Sequence, residues 1–220
     1  MPARNPGTMR IGTATALYCY PVKGLRGESL ATAEVLADGF AHDRSRALIV
    51  GTAGHPRAGK TYRGKEQPRL HVADSVDAAQ RLAAGAGVDV TATAPGRYFD
   101  LLPISMVFDT WLGELEALTG TPVEALRFRP NIVIAAEPGY AGRESDLLAA
   151  RLRIGTAEFD VNQPIERCVT PSYDLATGER DATLARAIAV DRRNDVGIYC
   201  TVAVPGTIAL GDAVERIDAT

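Results

Sequence analysis

Thr13-Ala14-Thr15-Ala16-Leu17-Tyr18-Cys19-Tyr20-Pro21-Val22-Lys23-Gly24-Leu25-Arg26-Gly27 reads as a β-strand, Thr13 to Tyr20, running into a glycine-bracketed basic turn. Pro21 cannot donate to a strand ladder, so the strand stops before it. Outward from this stretch the pattern repeats. Ser29–Leu36, Arg46–Val50 and Leu70–Ala73 are short apolar or alternating runs bounded by Pro, Gly or Asp. Further runs follow at Ile132–Ala135, Arg151–Ile154, Glu158–Val161, Ile198–Val204 and Ala213–Ile217, the last two around Pro205-Gly206. Helices are expected at Val76–Ala84 and at Met106–Leu118, where Val107, Trp111, Leu115 and Leu118 share a face and Gly120 supplies a stop. A short third helix over Ala182–Ala189 would cover one side. The fold class is α+β, mainly β. Residues 1–10 read as a disordered lead-in, and 51–68 as a long loop of the kind that often carries function.

At 220 residues and 46% hydrophobic, the chain can bury one substantial core or two small lobes that share an interface. A formal charge of −3 gives no overall attraction to nucleic acid or anionic lipid, so neither is an expected partner and any anion site must be built locally. No apolar run approaches the roughly 18 residues of a membrane helix, and the start lacks a signal-peptide core, which points to the cytoplasm. Cys19, Cys168 and Cys200 are too few and too widely spaced for a disulfide framework, a zinc knuckle or a four-cysteine iron–sulfur cluster.

Cys168 lies in Gln163-Pro164-Ile165-Glu166-Arg167-Cys168-Val169-Thr170-Pro171, a turn-like stretch between prolines. A neighbouring guanidinium favours the thiolate, which can act as nucleophile, persulfide carrier or soft-metal ligand; the plain alternative is an inert buried thiol. That alternative is the reading for Cys19 and Cys200, which sit inside strand patterns. Lys23, Arg44, and the group Arg127, Arg129 and Asn131 before the apolar strand at Ile132 could converge on an anion, or could be ordinary turn residues with solvated charges. His42, His55 and His71 have no metal-ligand spacing.

Taken in order, YPVKGLRG (20–27), Asp43-Arg44, QPRL (67–70), FRPNIVI (128–134), ERC (166–168), DLATGE (174–179), and PGTI with GD (205–212) resemble the MOSC family over residues 11–217. The resemblance implies a MOSC β-barrel over 76–220 with peripheral helices, preceded by a small, shortened barrel-like lobe over 11–75. It also implies a molybdenum–molybdopterin cofactor in the cleft between them; the chain has no room for the pyridoxal phosphate domain that accompanies MOSC domains in molybdenum-cofactor sulfurases. Carried over by motif, Cys168 would be the protein ligand to the metal. Lys23, Gly24, Arg44, Arg129 and Asn131, with Arg63 and Ser105, would surround the cofactor's phosphate and pterin. Arg167 would keep the thiolate charged, and Glu166 would orient Arg167 or relay protons. Gly24 stands where the family usually has serine, which removes one side-chain contact to the phosphate. The implied activity is reduction of N-hydroxylated or related N-oxygenated small molecules. Electrons would come from a separate donor, a ferredoxin or a haem protein with its reductase. Sulfur transfer through a persulfide on Cys168, or non-catalytic carriage of molybdopterin, are the alternatives.

Overall fold

In the computed structural model, which describes residues 7–217, the first strand starts at Thr8. It therefore begins inside the segment expected to be a disordered lead-in; residues 1–6 of that segment lie outside the described residues. The strands are β1 (Thr8–Cys19), β2 (Glu28–Leu30), β3 (Thr32–Leu36), β4 (Gly39–Phe40), β5 (Leu48–Val50), β6 (Val90–Ala92), β7 (Ile104–Phe108), β8 (Ile132–Ala136), β9 (Arg151–Ile154), β10 (Ala157–Glu166), β11 (Asp195–Val204), β12 (Gly206–Ala209) and β13 (Ala213–Ile217). The helices are α1 (Val76–Gly85), α2 (Asp109–Thr119) and α3 (Ala182–Arg186), the last continuing into a π-helical turn at Ala187–Asp191.

The order β13-β9-β10-β11-β7-β8-β1 closes through a β13–β1 pairing, and β2 adds to the outside of β1. Closure needs strands that bend, and the bends are visible as register shifts in β1 between Ala14 and Ala16 and in β10 between Val161 and Gln163. Inside sit Ile11, Leu17, Met106, Phe108, Ile134, Phe159, Ile198 and Val214, all buried. The fold is thus mainly β, with helices on its periphery. A second buried cluster joins Leu48, Val50, Tyr62, Leu70, Ala79, Ala83 and Val90. It holds α1 against the β5–β6 pair, so this smaller lobe draws on residues from both sides of position 75. No helix among the described residues is long and apolar enough to cross a membrane.

Several elements differ from expectation, and among them Gln163–Glu166, read as turn-like, is the end of strand β10. Met106–Phe108 belong to β7, not to a helix, and α2 starts only at Asp109, whose Oδ1 accepts from the Thr110 and Ala136 amides at 2.7 and 3.0 Å. β7 is buried on both faces between β11 and β8, and such a run carries no periodicity to distinguish it from a buried helix. Leu118 is accordingly 49% exposed, while Trp111, Leu112 and Leu115 form the inner face. Gly120 ends α2 as expected, at φ 71°. Leu70–Ala73 is not a strand: Pro68 opens a 3-10 turn over Pro68–Val72. Ser29–Leu36 is two strands, one on β1 and one on β12. β12, which starts at Gly206 of the Pro205-Gly206 break and was not expected as a strand, completes the sheet β12-β3-β4.

Candidate functional site

Where the two lobes meet, the ends of β1 and β10, the Arg127–Arg129 turn, the 62–71 segment and the linker around Asp100 enclose a cleft of about 330 Å³. Lys23, Gly24, Arg44, Arg63, Ser105, Arg129, Glu166, Arg167 and Cys168 all line it. Asn131 does not. It is fully buried behind the wall, where its Oδ1 accepts from Ser105 N (3.1 Å), Ser105 Oγ (3.0 Å) and Arg44 Nη1 (3.3 Å), and its Nδ2 donates to Tyr18 O at 3.2 Å. Every polar atom of that side chain is engaged, so Asn131 is a brace for Ser105 and Arg44, not the ligand contact its motif suggests.

Tyr20 organises the basic wall. Its buried ring has the Arg129 guanidinium 4.2 Å and the Arg44 guanidinium 4.8 Å from its centroid, and its hydroxyl donates to Pro130 O at 3.1 Å. Arg44 is also tied to Asp43, which is fully buried, and donates to Arg129 O at 3.1 Å. Arg129 donates through Nη1 to Leu25 O at 2.6 Å, while its buried Nη2 has no partner. Burial pushes the Arg129 guanidinium down to about 10, which leaves it charged at neutral pH.

Arg167 donates through Nε to Val196 O (2.7 Å) and through Nη1 to Phe128 O (2.9 Å), and its buried Nη2 also lacks a partner. Its hydrogen bonds go to backbone carbonyls, so Glu166, exposed on the cleft rim, does not orient it. Burial pushes Arg167 down to about 10, opposed by Tyr199 and Cys168. Arg63 is held by Glu66 (Nε–Oε2 3.0 Å), so it enters the cleft as half of an ion pair.

Cys168 is the exposed thiol, and its Sγ donates to Thr170 Oγ1 at 3.3 Å. Cys19 and Cys200 are buried; burial, aided by Asp43, pushes Cys19 up to about 12, and burial raises Cys200 as well. Both are held as inert thiols, as their strand positions suggested.

Sequence reasoning missed His71, Asp100, Tyr199, Tyr62 and Lys65, which also line the cleft. His71 Nδ1 lies 3.1 Å from Gly24 O, to which it donates as the neutral tautomer, and burial with Arg129 alongside pushes its pKa down to about 3. Its buried Nε2 has no partner. The 63–67 loop lies over it at Gly64, where a Cβ would come within 2.1 Å of Nε2. The adjoining QPRL motif pointed to this region, but reading Leu70–Ala73 as a strand hid the ring's direction. Among the described residues, no group of three or more His, Cys, Asp or Glu side chains is arranged to hold a bare metal ion.

A family model for the MOSC N-terminal beta barrel domain matches residues 11–101, and one for the MOSC domain matches residues 102–215. Comparison with curated proteins gives no match. Among solved structures, the chain is similar to the YUAD protein from Bacillus subtilis, at 17% identity and TM-score 0.59, over 97% of this chain and 98% of that one. That likeness is one of fold. YiiM from Escherichia coli matches at 12% identity and TM-score 0.48, over 96% of this chain and 71% of that one.

Proposed function

This chain belongs to the MOSC family, and from that premise we propose that it is a molybdenum-cofactor-dependent oxidoreductase with Cys168 as the protein's ligand to the metal. The observation that carries the reading is the exposed Cys168 thiol opening onto a cleft whose walls hold buried, unpartnered guanidinium nitrogens, Arg129 Nη2 and Arg167 Nη2. Such donors are costly to bury unpaired and are suited to an anionic ligand. One soft thiolate among guanidinium donors fits a metal that arrives already chelated on an anionic organic group. Bound there, the cofactor would supply two-electron redox chemistry at a thiolate-ligated metal.

The chain's own residues would do the rest. Lys23, Gly24, Arg44 and Arg129 would hold the cofactor's phosphate and pterin, with Ser105 and Arg63 beside them. Asn131 would act through Arg44 and Ser105. Arg167, fixed by the Val196 and Phe128 carbonyls, would favour the Cys168 thiolate once Sγ loses its proton. The exposed Glu166 carboxylate would relay protons at the rim. The substrate class is an N-hydroxylated or related N-oxygenated small molecule: two electrons and two protons convert the N–OH group to N–H and water. The electrons would come from a separate ferredoxin or haem protein with its reductase.

The test is elemental analysis for molybdenum, with pterin fluorescence, on protein from a host that makes molybdopterin, comparing wild type with Cys168→Ser. Near-stoichiometric metal and pterin, altered in the variant, with turnover of an N-hydroxylated compound by an artificial donor, is the expected result. Full metal loading without any such turnover would sink the reductase reading and leave a molybdopterin carrier. No metal or pterin, with labile sulfur on Cys168 after incubation with a cysteine desulfurase, would favour the second reading, sulfur transfer, which rests on the same exposed thiol.

A further inference from the structure

The basic wall of the cleft already contains an anion of its own. The Lys23 ammonium, its side chain only 17% exposed, is paired at 2.6 Å with Asp100 Oδ1 and donates to Phe99 O at 3.3 Å. Asp100 sits within reach of the charges of Lys23, Arg44 and Arg129; burial would raise its pKa, but these cations outweigh that and hold its carboxyl below the usual range. Its side chain is nevertheless 72% exposed. The contrast with Asp43 is direct: Asp43 is fully buried, accepts from Tyr20 N at 2.7 Å and is locked to Arg44, so it cannot leave. Asp100 can leave by turning into solvent, where it keeps its hydration.

The linker that carries Asp100 is built for this. Upstream it is clipped by the Arg97–Asp38 ion pair (Nε–Oδ2 2.6 Å) and by Tyr98 N donating to Arg44 O at 2.9 Å. Beyond Tyr98, its polar holds on Lys23 are the Phe99 carbonyl and the Asp100 carboxylate, and Leu101 next to them is 57% exposed. Whatever takes Lys23 away therefore releases the polar hold on Asp100 and its exposed neighbour Leu101, while the Phe99 ring stays seated beside Gly39.

We propose that Asp100 is a displaceable internal anion that selects what enters the cleft: it holds Lys23 until a phosphate monoester dianion takes the ammonium from it, and it turns away singly charged carboxylates. An incoming carboxylate offers Lys23 only what Asp100 already offers at far higher local concentration, whereas a dianion with three acceptor oxygens can also engage the guanidinium groups nearby. This deepens the function proposed above, since it rests on the reading that Lys23 helps seat an anionic group.

The test is calorimetric titration of the unloaded full chain with inorganic phosphate and with acetate, at matched ionic strength. The proteins are wild type, Asp100→Asn, Lys23→Gln, the double variant, and Asp191→Asn as a charge-matched control at an exposed site outside the cleft. Asp100→Asn is isosteric at an exposed position, so the fold is retained. The expected result is phosphate binding about tenfold tighter in Asp100→Asn than in wild type, with saturable acetate binding appearing only in Asp100→Asn. Asp191→Asn should match wild type, and in the Lys23→Gln background the effect of Asp100→Asn should shrink to about twofold or less. Phosphate should also speed amide exchange at residues 100–101 in wild type. Lys23-dependent phosphate binding that Asp100→Asn leaves unchanged or weakens overturns the gating proposal alone. No saturable phosphate binding in any of the proteins overturns the anion seat and the gating proposal together.

Discussion

Replacing Arg44 by alanine separates a structural role from a ligand-binding one. Arg44 neutralises Asp43, which has no exposed surface, and ties the end of β1 to the Arg129 backbone and to Asn131. In Arg44→Ala the Asp43 carboxylate keeps the Tyr20 amide at 2.7 Å but loses its cation. Leaving one member of a buried pair uncompensated costs about 3–5 kcal/mol. For a chain of this size that is a fall in Tm of roughly 6–20 °C. Urea unfolding followed by circular dichroism gives the free energy, with the slope against urea checked for constancy. The double variant Asp43→Asn/Arg44→Ala should recover part of the loss, because the stranded charge is gone. A loss under about 1 kcal/mol, the scale of an exposed pair, would refute the reasoning and make Arg44 primarily a ligand contact.

Native protein should react with a thiol reagent at one site, Cys168, and at all three cysteines only after unfolding; Cys168→Ser should abolish native labelling without shifting Tm by more than about 2 °C. His71 titrates at about 3 in the folded chain against 6.5 as the ordinary value, so the unfolded chain binds the extra proton between them. That contribution to stability is therefore full above pH 6.5 and is lost as pH falls toward 3. His71→Gln should lessen the fall of the urea midpoint across that window, leaving the part due to carboxylates such as Glu66 and Asp100. Gly64→Ala would drive a methyl to 2.1 Å from His71 Nε2, forcing the 63–67 loop to lift; about 1–3 kcal/mol of stability should go, with faster proteolysis in that loop. If Gly64→Ala melts like wild type, the loop does not rest on His71.

Much of the barrel was legible locally. β9 and β13 fall where their apolar and turn residues place them, and the strand leading to Tyr20 keeps its pattern to Cys19. Gly120 stops α2, and the two strand-borne cysteines are buried while the loop-borne one is exposed. Each of these depends on a face, a turn or a cap that neighbours in sequence define. β7 was hidden because both its faces are covered, and periodicity reports only a difference between faces. The 3-10 turn at Pro68–Val72 was hidden because short apolar runs suit several conformations.

The site divides in the same way. Local chemistry brought forward Lys23, Arg44, Arg129 and Cys168, and motif order added Arg63 and Ser105; the fold gathers all six on one cleft. Sequence could not tell that Asn131 stands behind the wall, that Arg167 is turned onto the Val196 and Phe128 carbonyls, or that Asp100 and His71 face the same space. Those facts depend on barrel closure and on how the second lobe is set against it. Contacts between residues far apart in sequence are created by that geometry, and no local pattern of charge or hydropathy records them.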